Sequence, residues 1–245
     1  MLTQPILDDL RQLRFNGMLK ALEEQMQMPD IGKLDFEERL GLLVDREKTE
    51  REDRRMKTRL RKAKLRQHAC VEDVDFRHPR KLDKGLFMRL ADCRWLKEHN
   101  NALIIGPTGV GKTYLACALA QKACREGYSA LYCRLPRLLH DLSIAKADGR
   151  YDKLMTAISR TDLLVLDDWG LDKFVKEQRH DLLEILEDRH GIRSTLVTSQ
   201  VPVKHWHDVI DDPTLADAIL DRLVHNAYKL TLSGESMRKK RSKLT

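Results

Sequence analysis

The chain has 245 residues, 42% of them apolar, which suffices for one large domain or one domain with an extension. No apolar stretch approaches the roughly 18 residues that span a bilayer, and the opening Met1 to Asp9 lacks the basic-then-apolar order of a secretory leader; a soluble, cytoplasmic protein with no membrane partner is expected. The formal charge of +7 suggests a polyanionic partner, and the five cysteines (Cys70, Cys93, Cys117, Cys124, Cys133) contain no C-x-x-C pair, so buried free thiols are expected rather than a disulfide framework or a zinc site.

The first 70 or so residues read as helical. Ile6, Leu10, Leu13, Met18 and Leu22 form an apolar stripe. A break follows at Met28-Pro29-Asp30-Ile31-Gly32, after which Asp35 and Glu38 have the spacing of a capping box for a helix carrying Phe36, Leu40, Leu43 and Val44. Beyond Glu47 the pattern is almost wholly charged and one-sided: Arg51, Arg54, Arg55, Lys57, Arg59, Arg61, Lys62, Lys64 and Arg66 stand against only Glu52 and Asp53. Arg54, Arg55, Lys57, Arg59, Arg61, Lys62, Lys64 and Arg66 are therefore candidate ligands of nucleic-acid phosphates, with a solvated charged helix as the plainer alternative. Few aromatics interleave them, which favours backbone contact with duplex DNA, of little sequence specificity, over base stacking on single strands.

At Val71 the composition changes. Glu72 to Asp83 reads as a linker or docking strand, and helical signals resume with Leu86, Leu90 and Leu96. The apolar run Ala102 to Ile105, a buried strand, then leads into Gly106-Pro107-Thr108-Gly109-Val110-Gly111-Lys112-Thr113. Every fixed position of the phosphate-cradling pattern G-x-x-x-x-G-K-[ST] is filled, and a helical face with Leu115, Ala118, Leu119 and Ala123 follows. Glycines let the backbone approach phosphates, whose charge the helix amino terminus favours. Lys112 is expected to add a point charge on the β- and γ-phosphates, and Thr113 to offer a hydroxyl to Mg2+. Tyr114, next in line, joins the expected nucleotide-binding residues, and ATP with Mg2+ is the expected cofactor.

Gly127 ends that helix, Ala130 to Cys133 reads as a second strand, and Pro136 can open the next helix. Leu163 to Leu166 is a third strand ending in Asp167 and Asp168, the Walker B arrangement: Asp167 is placed to hold the magnesium shell and Asp168 to orient or deprotonate the attacking water. Ser194 to Thr198 is a fourth strand, running into Thr198-Ser199-Gln200. Where such a strand lies between the two Walker strands, a polar group at its end can touch the γ-phosphate or the water; Gln200 is the first choice and Ser199 the second. A fifth strand is read at Ala227 to Leu232, and helices between strands make the core α/β with a parallel sheet. In His205-Trp206-His207, a packed tryptophan with surface histidines is a better reading than a metal site.

Leu166-Asp167-Asp168-Trp169-Gly170, Thr198 to His207, Asp211 to His225 and Gly234 to Arg238 closely resemble the IstB-like ATP-binding proteins, transposition helpers of bacterial insertion sequences within the AAA+ class and relatives of DnaC-type helicase loaders. Leu13 to Met18 and Phe36 to Leu40 resemble the amino-terminal segment of that family. The resemblance implies an AAA+ P-loop ATPase domain over 71–245, with a five-stranded parallel sheet flanked by helices, and an all-α DNA-binding and oligomerisation domain over 1–70. It also implies ATP-dependent homo-oligomers on duplex DNA that deform it and stimulate a DDE transposase. Arg222 matches the arginine finger that reaches a neighbouring subunit's γ-phosphate, and Arg238 resembles a second phosphate-sensing arginine. Many AAA+ proteins carry glutamate where this chain has Asp168, and the shorter side chain implies slow hydrolysis. Two other functions share the phosphate loop. A DnaC-like helicase loader would bind helicase through its amino-terminal region, where the basic run here favours DNA; a small-molecule kinase is disfavoured by Asp167-Asp168 and the basic extension.

Overall fold

A computed structural model describes residues 3–237, and the chain divides into two compact units, Met1–Thr58 and Arg59–Thr245. The composition change near residue 70 thus lies inside the second unit, because Ala63, Ala69 and Val71 are already part of its core.

In the first unit α1 (Thr3–Gln12) and α2 (Asn16–Gln27) are followed by a 3₁₀ turn at Ile31–Lys33 and by α3 (Phe36–Ala63), which runs on into the second unit. The single apolar stripe expected here does not form. Arg14 takes a left-handed conformation (φ 60°) between α1 and α2, so the periodicity does not carry across; Ile6 and Leu13 face solvent, while Leu7, Leu19 and Ala21 are buried. The capping box at the start of α3 does form, with Glu38 N–H donating to Asp35 Oδ1 at 2.8 Å and Asp35 N–H to Glu38 Oε2 at 3.0 Å.

Glu47, at the head of the charged run, is not solvated. Its carboxylate accepts from the backbone N–H groups of Gly17 (2.7 Å) and Met18 (3.2 Å), capping α2 from a residue of α3, and from Arg51 Nε at 2.5 Å. Burial opposes its charge, but the hydrogen bonds from Arg51, Met18 and Gly17 outweigh this and hold its pKa below the usual carboxylate value. A methyl group at Gly17 would meet the Glu47 Cα at 2.5 Å, so glycine is what lets α2 and α3 touch.

The second unit is a doubly wound α/β layer. After a 3₁₀ turn at Val71–Asp73 come α4 (Lys84–Ala91), capped by Asp83, and α5 (Arg94–Lys97). Then follow β1 (Asn101–Ile105), α6 (Lys112–Arg125), β2 (Ala130–Arg134), α7 (Leu135–Ala147), α8 (Tyr151–Ser159), β3 (Leu163–Trp169), α9 (Lys176–Arg189) and β4 (Ser194–Ser199). A 3₁₀ turn at Val203–His205, α10 (Trp206–Ile210), α11 (Pro213–Val224) and β5 (Ala227–Thr231) complete it. All strand pairs are parallel, in the order β2-β3-β4-β1-β5.

The near-continuous apolar strands are explained by this sandwiching. Alternate residues go to opposite faces: Ala102, Ile104, Leu163, Val165 and Leu196 enter the core on the α6 side, and Leu103, Ile105, Leu164, Leu166 and Val197 the core shared with α7, α9 and α11. Of the two readings of Glu72 to Asp83, linker or docking strand, the structure has the first: beyond the turn at Val71–Asp73 the segment is irregular, and Val71, Val74 and Phe76 pack on the core without pairing with the sheet. Of the cysteines, Cys93, Cys117 and Cys124 are buried free thiols, whereas Cys70 and Cys133 are partly exposed. Trp206 is fully buried against Trp169, ring centroids 5.0 Å apart, with exposed histidines on either side.

Candidate ATP site at the carboxyl ends of the strands

Because the strands are parallel, the residues after β1, β3 and β4 emerge at one edge, where ligands of open α/β sheets bind. β4 lies between β1 and β3. The loop Gly106 to Thr113 leaves β1 and turns into α6, with Gly109 (φ 85°) and Gly111 (φ 93°) in backbone conformations that side chains disfavour. Val110 is a core residue, Pro107 is exposed, and Lys112 Nζ donates to the loop's own Gly106 and Pro107 carbonyls at 2.8 Å each, which holds the ammonium at the loop mouth. Thr108 Oγ1 donates to Gln200 Oε1 at 2.6 Å, so the first-choice residue at the end of β4 does reach the loop.

Asp167 is fully buried and Asp168 partly so. Between Leu166 and Trp169 the ladder slips, three steps on β3 against two on β4, and Asp168 sits at φ 67°. This bulge changes what consecutive strand residues do. Instead of pointing to opposite faces, both carboxylates come within reach of Arg66, whose Nη1 lies 3.8 Å from Asp167 Oδ2 and 4.0 Å from Asp168 Oδ2. Asp167 also accepts from Thr113 Oγ1 (3.0 and 3.1 Å), from the Tyr132 hydroxyl and from Thr198 Oγ1. A hydroxyl beside a carboxylate is the hard-oxygen donor set that suits Mg2+, so these residues fit the expected metal. Burial first, then the hydrogen bond to Asp167, raises the Tyr132 pKa and keeps the phenol a donor. Asp168 Oδ2 accepts from Arg134 Nε at 2.9 Å.

Tyr132, Thr198, Arg134 and Arg66 were not expected in this site. Thr198 precedes the two residues singled out in its run, and its hydroxyl is the one that faces Asp167. Ser199, the second choice, is turned away: its hydroxyl donates to the Trp169 and Val201 carbonyls and ties the end of β4 to the bulge. Arg66, expected on DNA, has its guanidinium at the acidic pair. Arg80 was also missed. It is 2% exposed, donates to the Val110 carbonyl at 3.0 Å and to the Asp75 carbonyl at 2.9 Å, and burial lowers its pKa. The segment after β5 passes the loop too, with Leu232 N–H on the Ile105 carbonyl (2.7 Å) and Met237 N–H on that of Gly109 (2.9 Å). Tyr114 packs half-buried against the α6-side core. Arg238 lies outside the described residues.

Arg222 is not at this edge. Asn101, the first residue of β1, donates from Nδ2 to the Arg222 and Leu223 carbonyls at 3.0 and 3.2 Å, which docks the end of α11 at the opposite, amino-terminal end of the sheet. The Arg222 guanidinium donates to the Ala218 carbonyl (2.9 Å) and to Glu187 Oε1 (2.8 Å). Of the basic run, Arg54, Arg55, Lys57, Arg61, Lys62 and Lys64 are exposed, whereas Arg59 Nε donates to the Cys124 carbonyl at 2.8 Å, at the end of α6.

The family model described as IstB-like ATP binding protein matches residues 8–245. The chain belongs to this family. An insertion sequence ATP-binding protein of Sinorhizobium fredii is 53% identical over 98% of both chains. The ATP-binding protein of insertion sequence IS1162 from Pseudomonas fluorescens is 51% identical over 82% of this chain and 88% of its own. Among solved structures, DnaI matches with a TM-score of 0.59 at 24% identity, covering 72% of this chain and 93% of that one. The DnaC helicase loader matches at 0.53 and 21% identity over 60% and 85%. The replication initiator DnaA, solved with AMPPCP and single-stranded DNA, matches at 0.58 and 16% identity over 74% and 56%. These likenesses are of fold: this IstB-like chain has the AAA+ P-loop architecture, and its family is one of ATP-binding proteins. No helix among the described residues is long and apolar enough to cross a membrane.

Proposed function

We propose that this IstB-like protein is an ATP-dependent DNA-binding assembly factor. It forms homo-oligomers on duplex DNA with little sequence preference, remodels the duplex, hydrolyses ATP slowly at subunit interfaces, and stimulates a partner DDE transposase during insertion-sequence transposition. The carrying observation is the convergence of Lys112, Thr113, Asp167, Asp168 and Gln200 at one sheet edge, in a chain whose relatives are insertion-sequence ATP-binding proteins. Similarity to DnaI and DnaC, at 24% and 21% identity, is similarity of fold and does not favour helicase loading.

In this reading Gly106 to Gly111 present backbone N–H groups to the phosphates, with Pro107, Thr108, Val110 and Tyr114 shaping the loop. Lys112 leaves its two carbonyls to neutralise the β- and γ-phosphates. Thr113 and Asp167 would hold Mg2+, which would supply positive charge to offset the negative charge that develops in transfer. Gln200 orients the attacking water, Asp168 takes its proton as the γ-phosphorus bond to the β,γ-bridging oxygen breaks, and ADP and phosphate are released. Arg222 completes the site from a neighbouring subunit, and Arg238 senses the bound phosphates. The amino-terminal helical part, residues 1–70, binds DNA and contributes to assembly, with 71–245 as the ATPase domain.

Imaging the full chain on duplexes of graded length, with ATP and with ADP, tests this directly. Rings or filaments that need ATP are expected, and monomers that leave DNA untouched would refute it. Reversing the charge of exposed Arg54, Arg61 and Lys62 should weaken binding strongly and, in low salt where it is still measurable, flatten the log-log salt dependence by about 0.9 for each phosphate no longer neutralised. Arg59 is omitted from that set because its hydrogen bond to Cys124 makes it structural as well.

A further inference from the structure

The acidic pair has a cation of its own. Asp167 is wholly buried, and the hydroxyls that donate to it, from Thr113, Tyr132 and Thr198, are neutral. Neutral donors orient a carboxylate but do not cancel its charge. Among the described residues the cation within 4.0 Å of both Asp167 and Asp168 is Arg66. The spacing matters: a structural arginine fork grips a carboxylate at about 2.7–2.9 Å, whereas Arg66 stands at 3.8 and 4.0 Å with its side chain 44% exposed. The neighbouring Tyr132 phenol, the same group that donates to Asp167, holds the Arg66 pKa up against the opposing desolvation. The guanidinium is thus a close but loosely held counter-ion, in the electrostatic position a divalent metal at Thr113 and Asp167 would contest.

Its backbone placement is equally specific. α3 ends at Ala63, and Lys64 breaks the helix in a left-handed conformation (φ 51°). Leu65 packs on the core and Ala69 is buried in it. Arg66 is therefore pinned on the ATPase core directly after the exposed Arg61, Lys62 and Lys64.

We propose that Arg66 is a resident counter-ion of the Asp167–Asp168 pair, displaced by the metal that arrives with nucleotide, and that this displacement links nucleotide occupancy to the basic segment in front of it. The inference rests on the ATP and DNA reading above. When the metal enters, two like charges compete for the same carboxylates and Arg66 withdraws towards the side of Lys62 and Lys64. When a duplex phosphate draws Arg66 away, Asp167 loses that cation and becomes more open to metal, with Arg134 still paired to Asp168. Linkage makes the two effects reciprocal.

Titrating the full chain with a fluorescent ATP analogue, in Mg2+ and in EDTA, tests it with a binding readout alone. In Arg66→Gln, which removes the charge, affinity in EDTA should fall by about five- to tenfold, because Asp167 then repels the phosphates without the Arg66 cation beside it, while Arg134 still pairs with Asp168. The half-saturating Mg2+ concentration should fall several-fold in the same variant, and Arg66→Lys should restore wild-type behaviour. A short duplex should lower the Mg2+ requirement of the wild type and leave that of Arg66→Gln unchanged. Equal changes with and without metal, or none, would overturn the proposal and reduce Arg66 to a structural group. A wild type that binds nucleotide in neither condition would instead overturn the ATP reading beneath it.

Discussion

The two ends of the parallel sheet are built for different work. At the carboxyl ends of β1, β3 and β4, charged groups face one another with little packing between them: Lys112 folds onto its loop, Asp167 collects three hydroxyls, Asp168 lies on a strained bulge, and Gln200 bridges to Thr108. At the amino ends, polar groups serve as fasteners. Asn101 accepts from Thr195 N–H while holding the end of α11, and the buried guanidinium of Arg189 ties the Ile158, Thr161 and Ser194 carbonyls and the Thr195 hydroxyl together. Arg222 belongs to the second end, and β1 alone puts roughly 13 Å between it and the phosphate loop. Whatever Arg222 does for nucleotide, it cannot do for its own; it is displayed on a rigid end where a second subunit could meet it.

That contrast can be broken by substitution. Arg222→Ala should lower ATP turnover about a thousandfold, the scale of a lost arginine finger. Nucleotide affinity should stay within about twofold and thermal stability within about 1 kcal/mol, because the Glu187 partner is largely solvent-exposed. A parallel loss of stability would make Arg222 one more fastener. Lys112→Ala should weaken nucleotide binding about a hundredfold by titration, as expected for removing a charge that contacts two phosphates, without altering the melting temperature. Asp168→Glu should raise turnover a few-fold by extending the base one methylene towards the water. It should also lower stability by about 0.5–1 kcal/mol, since Asp tolerates the left-handed backbone at this position better than Glu. Unchanged or slower turnover would separate Asp168 from proton transfer. The smallest effect is expected from Glu187→Ala, which frees the Arg222 side chain and should leave turnover of assembled protein within about twofold.

Much of the carboxyl edge was legible because its chemistry is local in sequence. The phosphate loop needs eight consecutive residues, the acidic pair ends an apolar run, and five apolar runs became the five strands, four of them within a residue of the expected span and β3 running three residues further, through the acidic pair to Trp169. What could not be read depends on neighbours remote in sequence. Tyr132 meets Asp167 only because β2 pairs with β3, and Thr198 only because β4 lies on the other side. The bulge hides in Asp167-Asp168, where one extra residue re-aims a carboxylate and nothing in composition marks it. Arg66 looked like the tail of a basic run because charge patterning carries no information about the left-handed turn at Lys64. In the first unit, Glu47 looked solvated for the same reason: its partners are the backbone of Gly17 and Met18, thirty and twenty-nine residues away.

A site divided between subunits is tested most directly by mixing two inactive variants. Asp168→Asn retains a competent arginine but lacks the base; Arg222→Ala retains the base but lacks the arginine. Co-assembled in equal amounts on duplex DNA, they should recover about one quarter of wild-type ATP turnover, because a head-to-tail interface is intact when an Arg222→Ala protomer supplies the nucleotide edge and an Asp168→Asn protomer the facing arginine. Mixed assemblies that form yet hydrolyse no more ATP than either variant alone would contradict the shared site.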